Sequence, residues 1–194
     1  ALERLYLRHQ RKPGEPVHLE DFTVEALWPE MEADLLSHLE AEPRFRNRAR
    51  FLQDIERESI LRMMRRFLAN EIKRAGSRSL HPAYFERAFG YDTRHPVVLD
   101  DGTRLCGKID RIDLADHDPR QAVVVDYKSS YTSITLNDME QGNILQVPIY
   151  LLALRHLFGF TPLGAEFMGL KQSDAKGLFR QAAADLTSAT RGVK

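Results

Sequence analysis

Ala122-Val123-Val124-Val125-Asp126-Tyr127-Lys128 runs from four consecutive apolar residues into an acid, a tyrosine and a lysine. An unbroken apolar run of this kind fits a strand buried on both faces, near the centre of a sheet. Side chains two apart on a strand share a face, so Asp126 and Lys128 project together from its end while Tyr127 turns to the opposite side. Upstream, Tyr84 to Phe89 and Pro96 to Leu99 are short and aromatic or β-branched, and Asp100-Asp101-Gly102 is a hairpin turn signal. Thr103 to Leu114 reads as the returning strand and Ala115 to Gln121 as a polar loop. Downstream, Gln141 to Phe158 is apolar enough for a covered helix despite Pro148, and Gly164 to Leu170 fits one more strand. This order, β-meander then helix then strand, predicts an α/β fold with a mixed central sheet flanked by helices.

The first part of the chain obeys a different grammar. Leu2, Leu5 and Tyr6 suggest the end of a helix, closed by Lys12-Pro13-Gly14. Pro29 suits a first helical turn, with Met31, Leu35 and Leu39 recurring every four residues after it. A long helix follows, in which Ile60, Met64, Leu68 and Ile72 form a stripe widened by Leu52, Ile55, Met63 and Phe67, until Ala75-Gly76-Ser77 stops it. The expected organisation is a helical part over residues 1–80 and a sheet-bearing core over residues 81–194.

The chain has 194 residues, 28 basic and 28 acidic, with 43% hydrophobic residues and one cysteine. That is about one domain with a real core, which excludes general disorder. Cys106 alone makes neither a disulfide nor an iron–sulfur cluster within this chain, and a lone thiol fits a reducing cytoplasm. No apolar run approaches the roughly 20 residues of a membrane span. The neutral total hides two segments of opposite sign. Residues 15–42 hold nine acids and no Lys or Arg, whereas residues 44–78 hold eleven bases against four acids. Arg44, Arg48, Arg62, Arg65 and Arg66 are candidate phosphate contacts on a polyanion-facing surface. Two solvated helices that pair with each other account for the same pattern.

The chemistry concentrates where two strands meet. Asp110, in Gly107-Lys108-Ile109-Asp110-Arg111-Ile112-Asp113, can bring a second carboxylate beside Asp126 from a neighbouring antiparallel strand. Asp110, Asp126 and the backbone carbonyl of Tyr127 would make a hard oxygen site suited to Mg²⁺ or Mn²⁺. Lys128 beside such an ion can orient or deprotonate an attacking water, the chemistry of phosphodiester hydrolysis. An acid-x-Lys triplet is weak evidence alone. Glu71-Ile72-Lys73 and Asp174-Ala175-Lys176 repeat it, the first inside the long helix and the second in an expected polar loop. A surface ion pair is the plain alternative for Asp126 and Lys128. Asp113, three residues beyond Asp110, should face the other way in a structural role with Arg111. His81, His95 and His117 read as loop or turn histidines.

Gly107-x-x-Asp110, then Asp126-x-Lys128, then Gln146-x-x-x-Tyr150 in a following helix, resembles the RecB-type branch of the PD-(D/E)XK nuclease superfamily, in particular the C-terminal nuclease domain of AddB-type helicase–nuclease subunits. The likeness spans Glu86 to Tyr150. It implies a restriction-endonuclease-like fold, Mg²⁺ dependence and cleavage of DNA ends in recombinational repair. It assigns metal binding to Asp110 and Asp126 and catalysis to Lys128, and turns Gln146 and Tyr150, on one helix face, toward the active site. A polar pair buried against the sheet is the other reading of those two. Glu86 matches an acid the family places before the Gly-x-x-Asp strand, or is a surface acid. The family usually carries a metal-binding histidine shortly before a stretch like Leu2-Glu3-Arg4-Leu5-Tyr6, and often four cysteines around an iron–sulfur cluster. Neither is present here, so the expectation is a truncated nuclease domain with an incomplete metal site. Its expected partners are DNA and the rest of a larger helicase–nuclease chain or a partner subunit. The rival expectation is a non-catalytic DNA-binding or subunit-docking scaffold of the same fold.

Overall fold

A computed structural model describes residues 1–90, 95–129, 135–180 and 183. In chain order the elements are α1 (Leu2–His9), a single 3-10 turn (Leu19–Asp21), α2 (Val24–Ala41), α3 (Pro43–Arg46), α4 (Arg50–Ala75), β1 (Leu80–Phe89), β2 (Val97–Val98) and β3 (Arg104–Leu105). Then come β4 (Gly107–Ala115), β5 (Gln121–Lys128), α5 (Leu136–Glu140), α6 (Gln146–His156), β6 (Thr161–Gly169) and β7 (Asp174–Phe179). Five strands form one sheet in the order β1-β4-β5-β6-β7, with β5 in the middle. Among the described residues only the β5–β6 pairing is parallel, and α6 makes the crossover it requires. This mixed sheet with helices agrees with a restriction-endonuclease-like α/β fold.

The valine run explains the layering. Val123 and Val125 face the core built with Met64, Phe67 and Leu68 of α4, whereas Ala122 and Val124 face Val147, Ala153 and Leu154 of α6. A β5 residue is therefore covered whichever way it points, and each fully buried Leu or Val contributes about 1.5–3 kcal/mol. On α4 the buried positions Met64, Phe67, Leu68, Glu71 and Ala75 recur at helical spacing, and the fourth is a carboxylate.

Several local expectations need correction. Helix α2 begins at Val24, because Thr23 caps it by accepting from the Ala26 N–H at 3.2 Å. Pro29 therefore lies inside the helix. Leu52 and Ile55 do not join the core stripe; with Phe51 they are exposed, because α4 meets the core only further along its length. The span 103–114 is not one strand. It breaks at Cys106, where Gly90 (φ +77°) backs so closely that a Cβ there would sit 2.7 Å from the Cys106 Cα. The short β3 then pairs with β2, and β4 with β1. Asp174-Ala175-Lys176 is not a loop but the start of edge strand β7. The helix expected over 141–158 is shorter, Gln146–His156, and Pro148 falls in its first turn, where no hydrogen bond is forgone. His81 is a buried strand residue rather than a loop histidine, whereas His95 and His117 are exposed outside the strands.

Candidate active site

Strand pairing aligns three carboxylates across the sheet. Phe85 pairs with Arg111 and Arg87 with Ile109, which sets Glu86 opposite Asp110. Arg111 pairs with Val125, so one step further along the same register Asp110 lies beside Asp126. Asp126 and Lys128 share the face of Val124, covered by α6, and Tyr127 faces α4.

A closed set of contacts joins the strand ends to α6. Gln146 Nε2 donates to Asp126 Oδ1 at 2.5 Å and lies 2.9 Å from the Tyr150 hydroxyl, while its Oε1 accepts from Lys128 Nζ at 2.9 Å. The Tyr150 hydroxyl donates to the Lys108 carbonyl at 2.6 Å. Gln146 and Tyr150 are one helical turn apart, so one face of α6 orients both the acid and the base of β5. Gly107 makes this approach possible: a Cβ there would come within 2.8 Å of Phe89 and 3.4 Å of Tyr150.

Lys128 Nζ sits 2.5 Å from Asp126 Oδ2 and 4.7 Å from the centre of the Phe167 ring. Asp126 Oδ2 is buried, and the Lys128 ammonium is its charged partner. Asp110 Oδ2 accepts the Tyr127 N–H at 3.0 Å. Burial pushes the Asp110 carboxyl above its usual range; the nearby charges of Asp126 and Glu86 add to this, against the Tyr127 N–H and the Lys128 charge. Two adjacent carboxylates, Asp110 raised by burial and Asp126 buried beside Lys128, are a donor set that a hard divalent cation fits. Glu86 is engaged by Lys108 and holds a left-handed backbone (φ 49°) unusual for a side chain larger than glycine.

Behind the sheet lies a buried polar network whose members the sequence does not tie together. Arg111 donates to both oxygens of Asp113 (2.6 and 2.7 Å), to Glu71 Oε2 (2.5 Å), and to the hydroxyls of Tyr6 (3.1 Å) and Tyr127 (2.9 Å). Burial pushes Glu71 up, but the charges of Arg111 and Arg74, with hydrogen bonds from Arg111 and Tyr6, outweigh it and hold the carboxyl at about 2. Burial pushes Tyr127 up to about 12. Arg74 and Arg78 clamp Glu166 of β6 in the same layer. The available signal was a carboxylate on the apolar stripe of α4.

Four of the five candidate phosphate-binding arginines already have partners within the chain. Arg48 pairs with the half-buried Glu56 (3.0 Å), and Arg62 pairs with Glu58 (3.2 Å) on an exposed face. Arg65 reaches Glu25 at 3.8 Å and lies 5.8 Å from the Trp28 ring. Arg66 donates to the Lys171 carbonyl, and Arg44 lies on α3. Asp34 and Glu30 of the acidic segment pair with Arg4 and Arg8 of α1, not with α4. Arg62, Arg66 and Lys171 line one open hollow, and the Leu170 N–H bonds the Lys128 carbonyl, which ties that hollow to the active strand end. Lys171 carried no sequence signal.

A fold and constellation of this kind define a nuclease domain, and a family model agrees: the PD-(D/E)XK nuclease superfamily matches residues 1–191, and the chain belongs to it. Nucleases of this superfamily generally use divalent metals. Among curated proteins the chain is similar to an ATP-dependent helicase/deoxyribonuclease subunit of Caldanaerobacter subterraneus subsp. tengcongensis, 34% identical over 46% of this chain and 9% of the relative. The subunits of the same name from Moorella thermoacetica (32% identical, 67% of this chain, 11% of the relative) and Clostridium botulinum (29%, 70% and 12%) are also similar. The chain thus spans about a tenth of the length of these relatives. No helix among the described residues is long and apolar enough to cross a membrane.

Proposed function

We propose that Asp110, Asp126 and Lys128 form the centre of a Mg²⁺- or Mn²⁺-dependent deoxyribonuclease, part of a larger helicase–nuclease that processes DNA ends for recombinational repair in the cytoplasm. The observation that carries this reading is that neighbouring strands set Asp110 beside Asp126 at the end of a central strand, where Asp126 also pairs with Lys128. Asp110 and Asp126, with the Tyr127 carbonyl, are the residues that would hold the ion, which when bound supplies Lewis-acid polarisation of a phosphate oxygen. Lys128, paired with Asp126 as an ammonium, orients the attacking water and stabilises the charge that develops on the phosphate. Gln146 positions Lys128 and Asp126 relative to each other, and Tyr150 braces Gln146. Glu86 adjusts the charge felt by Asp110. Arg62, Arg66 and Lys171 lead phosphates toward the centre, with Arg44, Arg48 and Arg65 as further contacts along the helical layer. Linear duplex DNA incubated with the chain and Mn²⁺ tests the proposal. Cleavage should fall about 10²–10³-fold in Lys128→Ala, the range for loss of one charge-stabilising donor, and should need more than about tenfold more Mn²⁺ in Asp126→Asn. Cleavage that both substitutions leave unchanged overturns it, and points to a scaffold of this fold without chemistry of its own.

A further inference from the structure

At the opposite end of β1 from the candidate centre, three chain segments bring two imidazoles and a carboxylate together. His18 precedes the 3-10 turn, His81 is the second residue of β1, and Asp116 follows β4. One ligand atom from each lies within 4.8 Å of the others. Backbone bonds fix the meeting point from both sides: the Val17 N–H donates to the Pro82 carbonyl at 2.8 Å, and the Asp116 N–H to the Ser79 carbonyl at 3.1 Å. Glu86 lies five residue steps along β1 from His81, roughly 16 Å of strand, so this cluster is distinct from the candidate active site.

The His81 side chain is only 3% exposed, yet its buried Nδ1 has no hydrogen-bond partner. Nδ1 faces Glu20 Oε2 at 3.6 Å, and Nε2 faces Asp116 Oδ2 at 3.2 Å. His18 Nδ1 meets the other Glu20 oxygen, Oε1, at 3.0 Å, and the two imidazole rings lie 4.2 Å apart. Glu20 therefore lies on the Nδ1 side of both imidazoles, at hydrogen-bond distance from His18 and 3.6 Å from His81. Metal-binding histidines are held in this way, with a carboxylate on the nitrogen that does not touch the metal.

We propose that His18, His81 and Asp116 form a second, structural metal site that takes Zn²⁺, with Glu20 orienting both imidazoles. Two nitrogens and one carboxylate oxygen suit a borderline cation such as Zn²⁺ better than the hard ions expected at Asp110 and Asp126. Around a tetrahedral zinc with bonds of about 2.0–2.1 Å, neighbouring ligand atoms sit roughly 3.3 Å apart. The 3.2 Å between His81 Nε2 and Asp116 Oδ2 already meets that spacing. The exposed His18 ring has only to close on them by a side-chain rotation. Bound there, the ion staples the segment between α1 and α2 to the edge of the sheet.

The proposal is independent of the nuclease reading, and its test does not depend on activity. The full chain, stripped of metal, is titrated with Zn²⁺ against a chromophoric chelator, and its melting temperature is followed with and without the ion. One equivalent should bind and raise the melting temperature, because an ion that binds only the folded state stabilises it. His18→Ala and Asp116→Ala, both at exposed positions, should melt like the parent without zinc and lose the zinc-dependent rise. Glu20→Gln should weaken binding by about 10–100-fold, the usual cost of losing an orienting partner. Asp126→Asn should bind zinc as the parent does. Failure of the parent chain to bind Zn²⁺ overturns the proposal, as does binding that survives His18→Ala or is lost in Asp126→Asn.

Discussion

Replacing Arg111 with methionine removes the cation shared by two buried carboxylates, Asp113 and Glu71, which are 0% and 5% exposed. Methionine keeps most of the buried stem, so the change acts through charge. It leaves Asp113 without either of its charge-assisted bonds and Glu71 with Tyr6 and a more distant Arg74 at 3.7 Å. Breaking a buried pair from one side typically costs about 3–5 kcal/mol, because the surviving charge stays desolvated. With a urea dependence of about 2–3 kcal/mol per molar for a chain of this size, the unfolding midpoint should drop by about 1–2 M. The triple variant Glu71→Leu, Arg111→Met, Asp113→Leu should recover more than half of that loss, since removing both signs removes the penalty of burying them. Urea unfolding followed by far-ultraviolet circular dichroism reads both values. A single-variant loss below about 1 kcal/mol, the scale of an exposed pair, would refute the reasoning, as would a triple variant no more stable than the single one.

The same network sets an acid limit. Glu71 is held at about 2 from 4.5, so its stabilisation, roughly 3 kcal/mol, should be complete above about pH 4.5 and be lost as pH falls through about 2. Melting temperatures across that window, compared with Glu71→Gln, check it; an equal acid slope in the variant contradicts it. Gly107→Ala should cost about 1–3 kcal/mol by chemical denaturation and slow DNA cleavage, since the new methyl presses on Phe89 and Tyr150 beneath Gln146. A variant of parental stability and activity contradicts that packing argument. Arg62→Ala with Arg66→Ala and Lys171→Ala should weaken binding to every duplex sequence alike and flatten the plot of log affinity against log salt by about 0.9 per lost phosphate contact. An unchanged slope places DNA elsewhere.

What the sequence shows of this fold depends on how evenly each element is covered. The valines of β5 are legible because burial on both faces leaves no polar position in the run. Edge strand β7 is half-covered along its length, so Asp174, Lys176 and Gly177 read as a loop. Register is legible only in part: Asp100-Asp101-Gly102 marks the turn between β2 and β3, but the break at Cys106 arises from the close passage of Gly90, a contact between distant segments. At the candidate site, alternation alone separates Asp126 and Lys128 from Tyr127, and helical spacing alone pairs Gln146 with Tyr150. Nothing local links Glu71 to Arg111, forty residues apart, or His18 to His81 and Asp116. Long-range polar partnerships leave no period in a sequence, only a charged residue at a position where the pattern asks for an apolar one.

The most direct test of the proposed chemistry is the single-turnover cleavage rate of end-labelled linear duplex DNA, measured across Mn²⁺ concentrations after chelation of all other metal. The rate of the parent chain should saturate with Mn²⁺. Lys128→Ala should lower the plateau by about 10²–10³-fold and leave the half-saturating concentration in place. Asp126→Asn should raise that concentration by more than about tenfold, since it removes the buried oxygen offered to the ion. A parent rate indifferent to Mn²⁺, or variants that cut as fast as the parent, would contradict the proposed chemistry.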